Sequence, residues 1–185
     1  MSKTINLISK EVSECTKCSL AEHRKQPVFG TGSVNADLMF IGEAPGAEED
    51  RLGVPFVGRS GKLLDNLLLE EMNMDRSACY ISNVVKCRPP ENRDPKSEEI
   101  EACRSYLETQ LEIIKPRVII TLGNFATRLL LDTKIGITKL RGKKYEYLGY
   151  SLIPTFHPAA ALRGRAGVIE NMRADLRKAK EIIND

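Results

Sequence analysis

The stretch Leu38 to Gly61, LMFIGEAPGAEEDRLGVPFVGRSG, decides how the chain is read. It opens with four apolar residues, Leu38, Met39, Phe40 and Ile41, the pattern of a strand buried on both faces. At Gly42 the pattern breaks into a loop holding Pro45, Gly46, Gly53, Pro55 and Gly58, with the acids Glu43, Glu48, Glu49 and Asp50 among them. Helical spacing resumes after Ser60, which reads as the cap of a helix with Leu63, Leu64, Leu67, Leu68 and Met72 on its core face. Open α/β sheets keep their active sites in long, glycine-punctuated loops at the C-terminal ends of buried strands. A connection made polar only by solvation has the same composition, so this loop does not establish a site by itself.

Working outward, Ile5, Leu7, Ile8 and Val12 mark a short helix over residues 4–14, and Cys18 to Gly32 reads as loop. Cys79 to Val85 is a second strand, ending in Lys86-Cys87-Arg88-Pro89-Pro90. Asp94-Pro95 begins a helix with a capping carboxylate and a proline in the first turn. Its apolar face is Ile100, Cys103, Leu107, Leu111 and Ile114, so Cys103 points inward, and Pro116 ends it. Val118 to Leu122 is a third strand and Gly123-Asn124 opens a helix over Phe125 to Leu131. Ile135 to Tyr147 reads as a basic loop, Ser151 to Phe156 as a fourth strand running into His157-Pro158, and Val168 to Ile183 as the last helix. Strand and helix alternate throughout, which implies an α/β fold with a parallel sheet covered on both faces. With 185 residues and no linker or repeat, one domain over 1–185 is expected.

The net charge of +3 is compatible with a polyanionic partner only if the positive residues cluster. No apolar run is long enough to span a membrane, and the amphipathic start, MSKTINLISKEVSEC, has no signal-peptide core; a cytoplasmic protein is expected. Five cysteines in a reducing compartment do not suggest a disulfide framework. Cys79, inside an apolar run, reads as a small buried hydrophobe. The other four, Cys15-x-x-Cys18, Cys87 and Cys103, supply four thiolates, which suit structural zinc or an iron–sulfur cluster. Their dispersal favours one cuboidal cluster over two zinc knuckles, with no metal as the third alternative.

In a parallel sheet the C-terminal strand ends share one edge. The first strand delivers Glu43 there, the second Asn83 and the fourth His157. Each has an ordinary explanation alone: a turn-forming asparagine, a loop histidine before proline. A carboxylate, a carboxamide and an imidazole converging on one edge point to a site.

These residues carry a resemblance. Gly42-Glu43-Ala44-Pro45-Gly46, Pro55-Phe56-Val57-Gly58, Asn83-Val84-Val85-Lys86-Cys87-Arg88-Pro89-Pro90, His157-Pro158-Ala159-Ala160 and the four spaced cysteines, in that order, are similar to the family 4 uracil-DNA glycosylases. The resemblance implies a three-layer sandwich with a four-stranded parallel sheet between helices. It also implies a [4Fe–4S] cluster on Cys15, Cys18, Cys87 and Cys103, and hydrolysis of the N-glycosidic bond of deoxyuridine. By the same resemblance Phe56 stacks on the extruded base and Asn83 reads its Watson–Crick edge. His157 donates to uracil O2, helped by the backbone at Gly42, and Glu43 orients water and stabilises sugar charge. Ala44 stands where better-studied relatives have an aspartate, and Gly46 where some have a tyrosine that excludes the thymine methyl, work that falls here to Glu49. Leu162 or Arg163 is the expected wedge into the duplex, because position 161 is alanine.

Arg163 and Arg165, with Lys139, Arg141, Lys143 and Lys144, are the basic residues expected on DNA phosphates, against the plainer reading of a solvated loop. No lysine is assigned to catalysis, so a monofunctional enzyme that leaves an abasic site is expected. Arg88 to Lys96 holds no histidine, which disfavours the branch that captures DNA covalently through one. The expected partner is uracil-containing DNA, double- or single-stranded, bound by a monomer at the nucleoid; a sliding clamp is a further partner the sequence leaves open. A non-catalytic iron–sulfur DNA-binding module of the same fold is the alternative. It would keep the cysteines and basic loops but would not need Phe56, Asn83 and His157 together.

Overall fold

The computed structural model describes residues 4–185; the first three residues of the amphipathic N-terminal stretch lie outside them. Helix α1 (Ile5–Ser13) starts at Thr4, whose Oγ1 accepts the backbone N–H of Leu7, and α2 (Leu20–His23) follows the first cysteine pair. Strand β1 (Thr31–Gly32) precedes β2 (Leu38–Gly42), all five of whose residues are buried. After β2 come α3 (Ala47–Leu52) and α4 (Arg59–Leu67), the latter extended by a π-helical turn over Leu68–Met72. Strand β3 (Tyr80–Asn83) leads to α5 (Ser97–Ile114), β4 (Val118–Leu122) and α6 (Asn124–Leu130). The remainder is α7 (Ile137–Leu140), β5 (Tyr145–Tyr147), β6 (Tyr150–Thr155), α8 (Pro158–Leu162) and α9 (Val168–Asn184).

The sheet order is β1-β3-β2-β4-β6-β5. The four inner strands are parallel, as expected; β1 and β5 add short antiparallel edges that the four-strand reading did not contain. Alternation along the strands divides the core in two. Met39, Ile41, Ile119 and Leu152 face α1, α5 and α6, while Phe40, Ile81, Ile120 and Ile153 face α4 and α9. The three-layer class therefore holds.

Several local expectations are corrected. The loop after β2 contains α3. Helix α4 is preceded by Gly58 rather than capped by Ser60, and the carboxylate at its start comes from Glu49, whose Oε1 accepts the backbone N–H groups of Val57 at 3.1 Å and Gly58 at 3.4 Å. Helix α5 begins at Ser97, not at Asp94: buried Glu99 accepts the N–H of Lys96 at 2.8 Å and pairs with Arg93 at 2.6 Å. Asp94 is thereby left free of the cap. The basic segment Ile135 to Tyr147 is not all loop, because Ile137 and Leu140 bury α7 and β5 pairs with β6.

Candidate active site

Parallel register brings the predicted strand ends together. Gly42 of β2 lies beside Asn83 of β3 in register, and β6 ends at Thr155, two residues before His157. Asn83, Phe56 and His157 line one pocket of about 390 Å³ with Ala44, Gly46, Glu49, Ser60, Asn92 and Ala159. A neighbouring cleft, which shares Ala44, Gly46, Asn92, His157 and Ala159 with it, is bordered by Glu43, Pro45, Pro89, Arg93 and Arg163. Glu43 also borders a larger cleft of about 600 Å³ with Asp94, Asn124, Arg128 and His157. Glu43 thus stands beside the base-sized pocket rather than among its lining residues.

Phe56 is held by its backbone. Its φ of +52° is unusual for an aromatic residue and costs about 1–3 kcal/mol. Arg76 offsets this by donating to the carbonyls of Phe56 at 2.9 Å and Pro55 at 2.8 Å, while pairing with Asp65 at 3.3 Å. Gly61 is required below the turn, since a Cβ there would overlap the Phe56 carbonyl. The ring then sits 5.7 Å from that of His157. Gly42 is required for a different reason: a Cβ would run into Asn83 Oδ1 and come within 2.8 Å of Phe56 Cζ.

Asn83 Oδ1 is buried and has no hydrogen-bond partner among the described residues. An orphaned acceptor in the core is costly, and native structures keep few of them outside functional sites. Here it borders a pocket that also holds an aromatic ring and an imidazole.

The model of the uracil DNA glycosylase superfamily matches residues 29–183. The type-4 uracil-DNA glycosylase of Saccharolobus solfataricus is 46% identical over 97% of this chain and 87% of the relative. That of Sulfurisphaera tokodaii is 43% identical over 97% and 84%, and that of Thermotoga maritima 45% over 97% and 94%. The chain belongs to the type-4 uracil-DNA glycosylases.

Against that family the electrostatics become informative. His157 Nδ1 accepts the backbone N–H of Ala159 at 3.1 Å, so the ring proton lies on Nε2. Burial, reinforced by the charge of Arg163, pushes its pKa down to about 4. The imidazole is neutral near pH 7. Burial also pushes Glu43 up to about 7, and the Asp94 carboxyl adds to the rise through its charge and a hydrogen bond. Two carboxyl groups therefore share this corner.

Glu49 lines the pocket as expected, and its Oε2 lies 2.7 Å from where a Cβ on Gly46 would be. Its other oxygen pins the loop that carries Phe56, a role the sequence did not suggest. Asn92 was also missed. It sits in the pocket wall at φ +54°, with its Oδ1 accepting from Arg88 Nε at 2.8 Å. An asparagine in a polar loop after two prolines gave no periodic signal to find it by.

The basic residues divide. Leu162, Arg163 and Arg165 are exposed just past His157, and Lys139, Lys143 and Lys144 are exposed around the start of β5. Arg141, expected on phosphates, is instead engaged within the fold. Its guanidinium pairs with the fully buried Asp175 and donates to the Asn171 carbonyl at 2.8 Å, tying the α7–β5 turn to α9.

Cys87 and Cys103 are buried, Cys15 and Cys18 partly so, and all four pack on one side of the sheet. No two are bonded to each other, and Cys87 Sγ accepts from Arg24 Nη1 at 3.1 Å. Burial raises the thiol of Cys103 to about 11 and that of Cys87 above its ordinary range, each with a contribution from Cys18. Among the described residues no three Cys, His, Asp or Glu side chains are grouped to hold a metal ion. Cys79 lies elsewhere, fully buried with its Sγ on the Arg76 carbonyl at 3.2 Å, as a core residue. No helix among the described residues is long and apolar enough to cross a membrane.

Proposed function

We propose that this chain hydrolyses the N-glycosidic bond of deoxyuridine in DNA and leaves an abasic site. The observation that carries the reading is the unpartnered Oδ1 of Asn83, on a residue that lines one pocket with Phe56 and His157. Uracil inside a duplex is out of reach, so the nucleotide is first extruded, at a cost of a few kcal/mol that is smaller at a mispair. Uracil presents an N3–H donor and an O4 acceptor. The Asn83 amide answers both, with Oδ1 accepting and Nδ2 donating. Cytosine reverses both groups and would leave the amide unpaired. Phe56 supplies the stacking surface. Glu49, against Gly46, supplies the bulk that keeps out a methyl at C5.

Bond cleavage separates a positive, oxocarbenium-like sugar from a uracil anion. The Nε2–H of His157 donates to O2 as charge develops there; a neutral donor suffices, and the ring needs no added proton. Glu43, when ionised, stabilises the sugar and orients the attacking water, since Ala44 cannot. Lys86, although inside the Asn83 motif, is buried in the core and does not reach the sugar, so no Schiff base forms. Leu162 fills the gap left in the duplex, and Arg163 and Lys143 contact phosphates.

The donor set of Cys15, Cys18, Cys87 and Cys103 suits a [4Fe–4S] cluster in its chemistry: four unbridged thiols from three segments, packed on one core. A cuboidal cluster spreads its ligands over its own width, which such a loose quartet suits better than a single ion. Bound there, the cluster would supply a cross-link between the N-terminal segment and the middle of the chain.

The test is incubation with a labelled single-uracil oligonucleotide, then alkali, with a thymine control. Strand cleavage only after alkali and only at uracil is expected. Binding without excision at any temperature would overturn the reading in favour of a DNA-binding module.

A further inference from the structure

One wall of the larger cleft beside the base pocket is a single helical face. Asn124, Phe125, Arg128 and Leu129 of α6 all border it, at the spacing that puts two residues on each of two successive turns. That wall starts against the imidazole: Gly123 has φ +93°, and a Cβ there would lie 3.0 Å from His157 Cβ. The cleft shares His157 with the base pocket and is the roomier of the two, about 600 Å³ against about 390 Å³. Where the smaller cavity takes a base, the larger has space for a nucleoside.

Phe125 is the residue in that wall that the fold does not account for. Phe40, Phe56 and Phe156 belong to one half of the core, and Phe29 packs against the other. Phe125 is half-buried and, among the described residues, belongs to neither half. No ring or cation packs on its own ring among the described residues. Arg128, one turn on, is exposed. Its Nε donates to the Ile135 carbonyl at 3.1 Å, and its terminal nitrogens make no hydrogen bond or ion pair among the described residues. Asn124, by contrast, serves the fold, its Oδ1 accepting the N–H of Ile137 at 2.8 Å. The facing wall carries Glu43 and Asp94, so a phosphate entering the cleft is driven to the Arg128 side.

An aromatic face for a base and a guanidinium for its phosphate are the two parts that single-strand sites combine. We propose that this cleft is a second nucleotide subsite, which takes the nucleotide next to the extruded uridine on the same strand, its base against Phe125 and its phosphate on Arg128. The proposal rests on the glycosylase reading above. Extruding the uridine unstacks its neighbour. In a duplex the opposite strand holds that neighbour in place; in a single strand nothing does, so the subsite acts mainly on single-stranded uracil.

The experiment takes the full-length protein and single-stranded oligonucleotides with one uracil. In two of them the base on the 5′ or on the 3′ side of the uridine is replaced by an abasic spacer. The wild type should lose about tenfold in kcat/KM when the spacer stands on one of the two sides, the side that enters the cleft. Phe125→Ala should show a similar loss on the natural strand and no further loss with that spacer, since ring and base are two halves of one contact. Phe125→Tyr, which keeps the ring face, should recover most of the rate. Arg128→Gln should lower the slope of log K against log salt for the single strand by about 0.7. Wild-type rates equal on all three strands, or a spacer penalty undiminished in Phe125→Ala, would overturn the subsite and leave the glycosylase reading standing. An unchanged salt slope in Arg128→Gln would overturn the phosphate assignment. No excision of uracil by the wild type from any strand would remove both readings together.

Discussion

His157 Nδ1 receives the backbone N–H of Ala159, two residues on at the first turn of α8, and this contact decides which ring nitrogen faces the pocket as a donor. The proline at position 158 has no N–H, so Ala159 offers the first amide that the ring can use. Burial and the nearby Arg163 charge then keep the ring neutral down to about pH 4. His157→Ala should lower kcat on uracil by about 10²–10³-fold, the cost of one preorganised donor to a developing anion. DNA affinity should be unchanged, and no limb from a histidine should appear in the pH–rate profile above about pH 5. A limb near the ordinary histidine range, lost in the variant, would contradict the neutral-donor role.

Glu43 sets the limb that is expected. Its pKa of about 7 means that ionised carboxylate, the form that stabilises sugar charge, accumulates only as pH rises through neutrality. Excision under kcat/KM conditions should therefore increase through about pH 7, and Glu43→Gln should flatten the curve. Asp94→Asn should move the limb towards acid, since the Asp94 carboxyl contributes to the rise. Stability runs oppositely. A folded pKa above the unfolded value gives stabilisation that is full below about 4.5 and lost as pH passes through about 7. Urea unfolding at pH 8 should then find Glu43→Gln the more stable, by on the order of 1 kcal/mol once solvent screening of this half-buried group is allowed for. At pH 4 the two should coincide.

Gly42→Ala tests the pocket with one methyl group. The added carbon would collide with Asn83 Oδ1 and press on the Phe56 ring, the two surfaces that read and stack the base. A drop of about 10²-fold or more in kcat/KM on uracil is expected, with an unchanged salt dependence of DNA binding. A stopped-flow assay with a fluorescent base analogue opposite or beside the uracil separates the steps. Extrusion lost together with excision fits a blocked pocket; normal extrusion and normal excision would mean that the pocket lies elsewhere.

The parts legible in the sequence were those written in local pattern. The buried strand at Leu38, the helical faces of α4, α5 and α9, and the strand ends at Glu43, Asn83 and His157 all follow from periodicity plus the rule that parallel strands share an edge. What escaped was written in contacts between distant residues. Ser60 looked like a helix cap, but the carboxylate at α4 comes from Glu49. Asp94 looked like another, but Glu99 took that work and left Asp94 to meet Glu43. Helix α7 and strand β5 are too short to show a period and exist because β6 and the core complete them. The positive φ of Phe56 has no local signature, because Arg76, twenty residues on, holds it.

Arg141 and Lys143 are two residues apart in the same basic run, and the structure gives them opposite work. Arg141 pairs with Asp175, which is fully buried and also accepts the Thr155 hydroxyl at 2.7 Å. Lys143 is exposed. Arg141→Ala leaves a buried carboxylate without its cation, which should destabilise the fold by about 3–5 kcal/mol. Lys143→Ala should cost little stability. In DNA binding the order reverses: at a temperature where both variants are folded, Lys143→Ala should reduce the slope of log K against log salt by about 0.9, one released counterion, and Arg141→Ala should leave it unchanged. Equal loss of slope in the two variants would return Arg141 to the phosphate-binding set, and a stable Arg141→Ala protein would mean that Asp175 finds another partner.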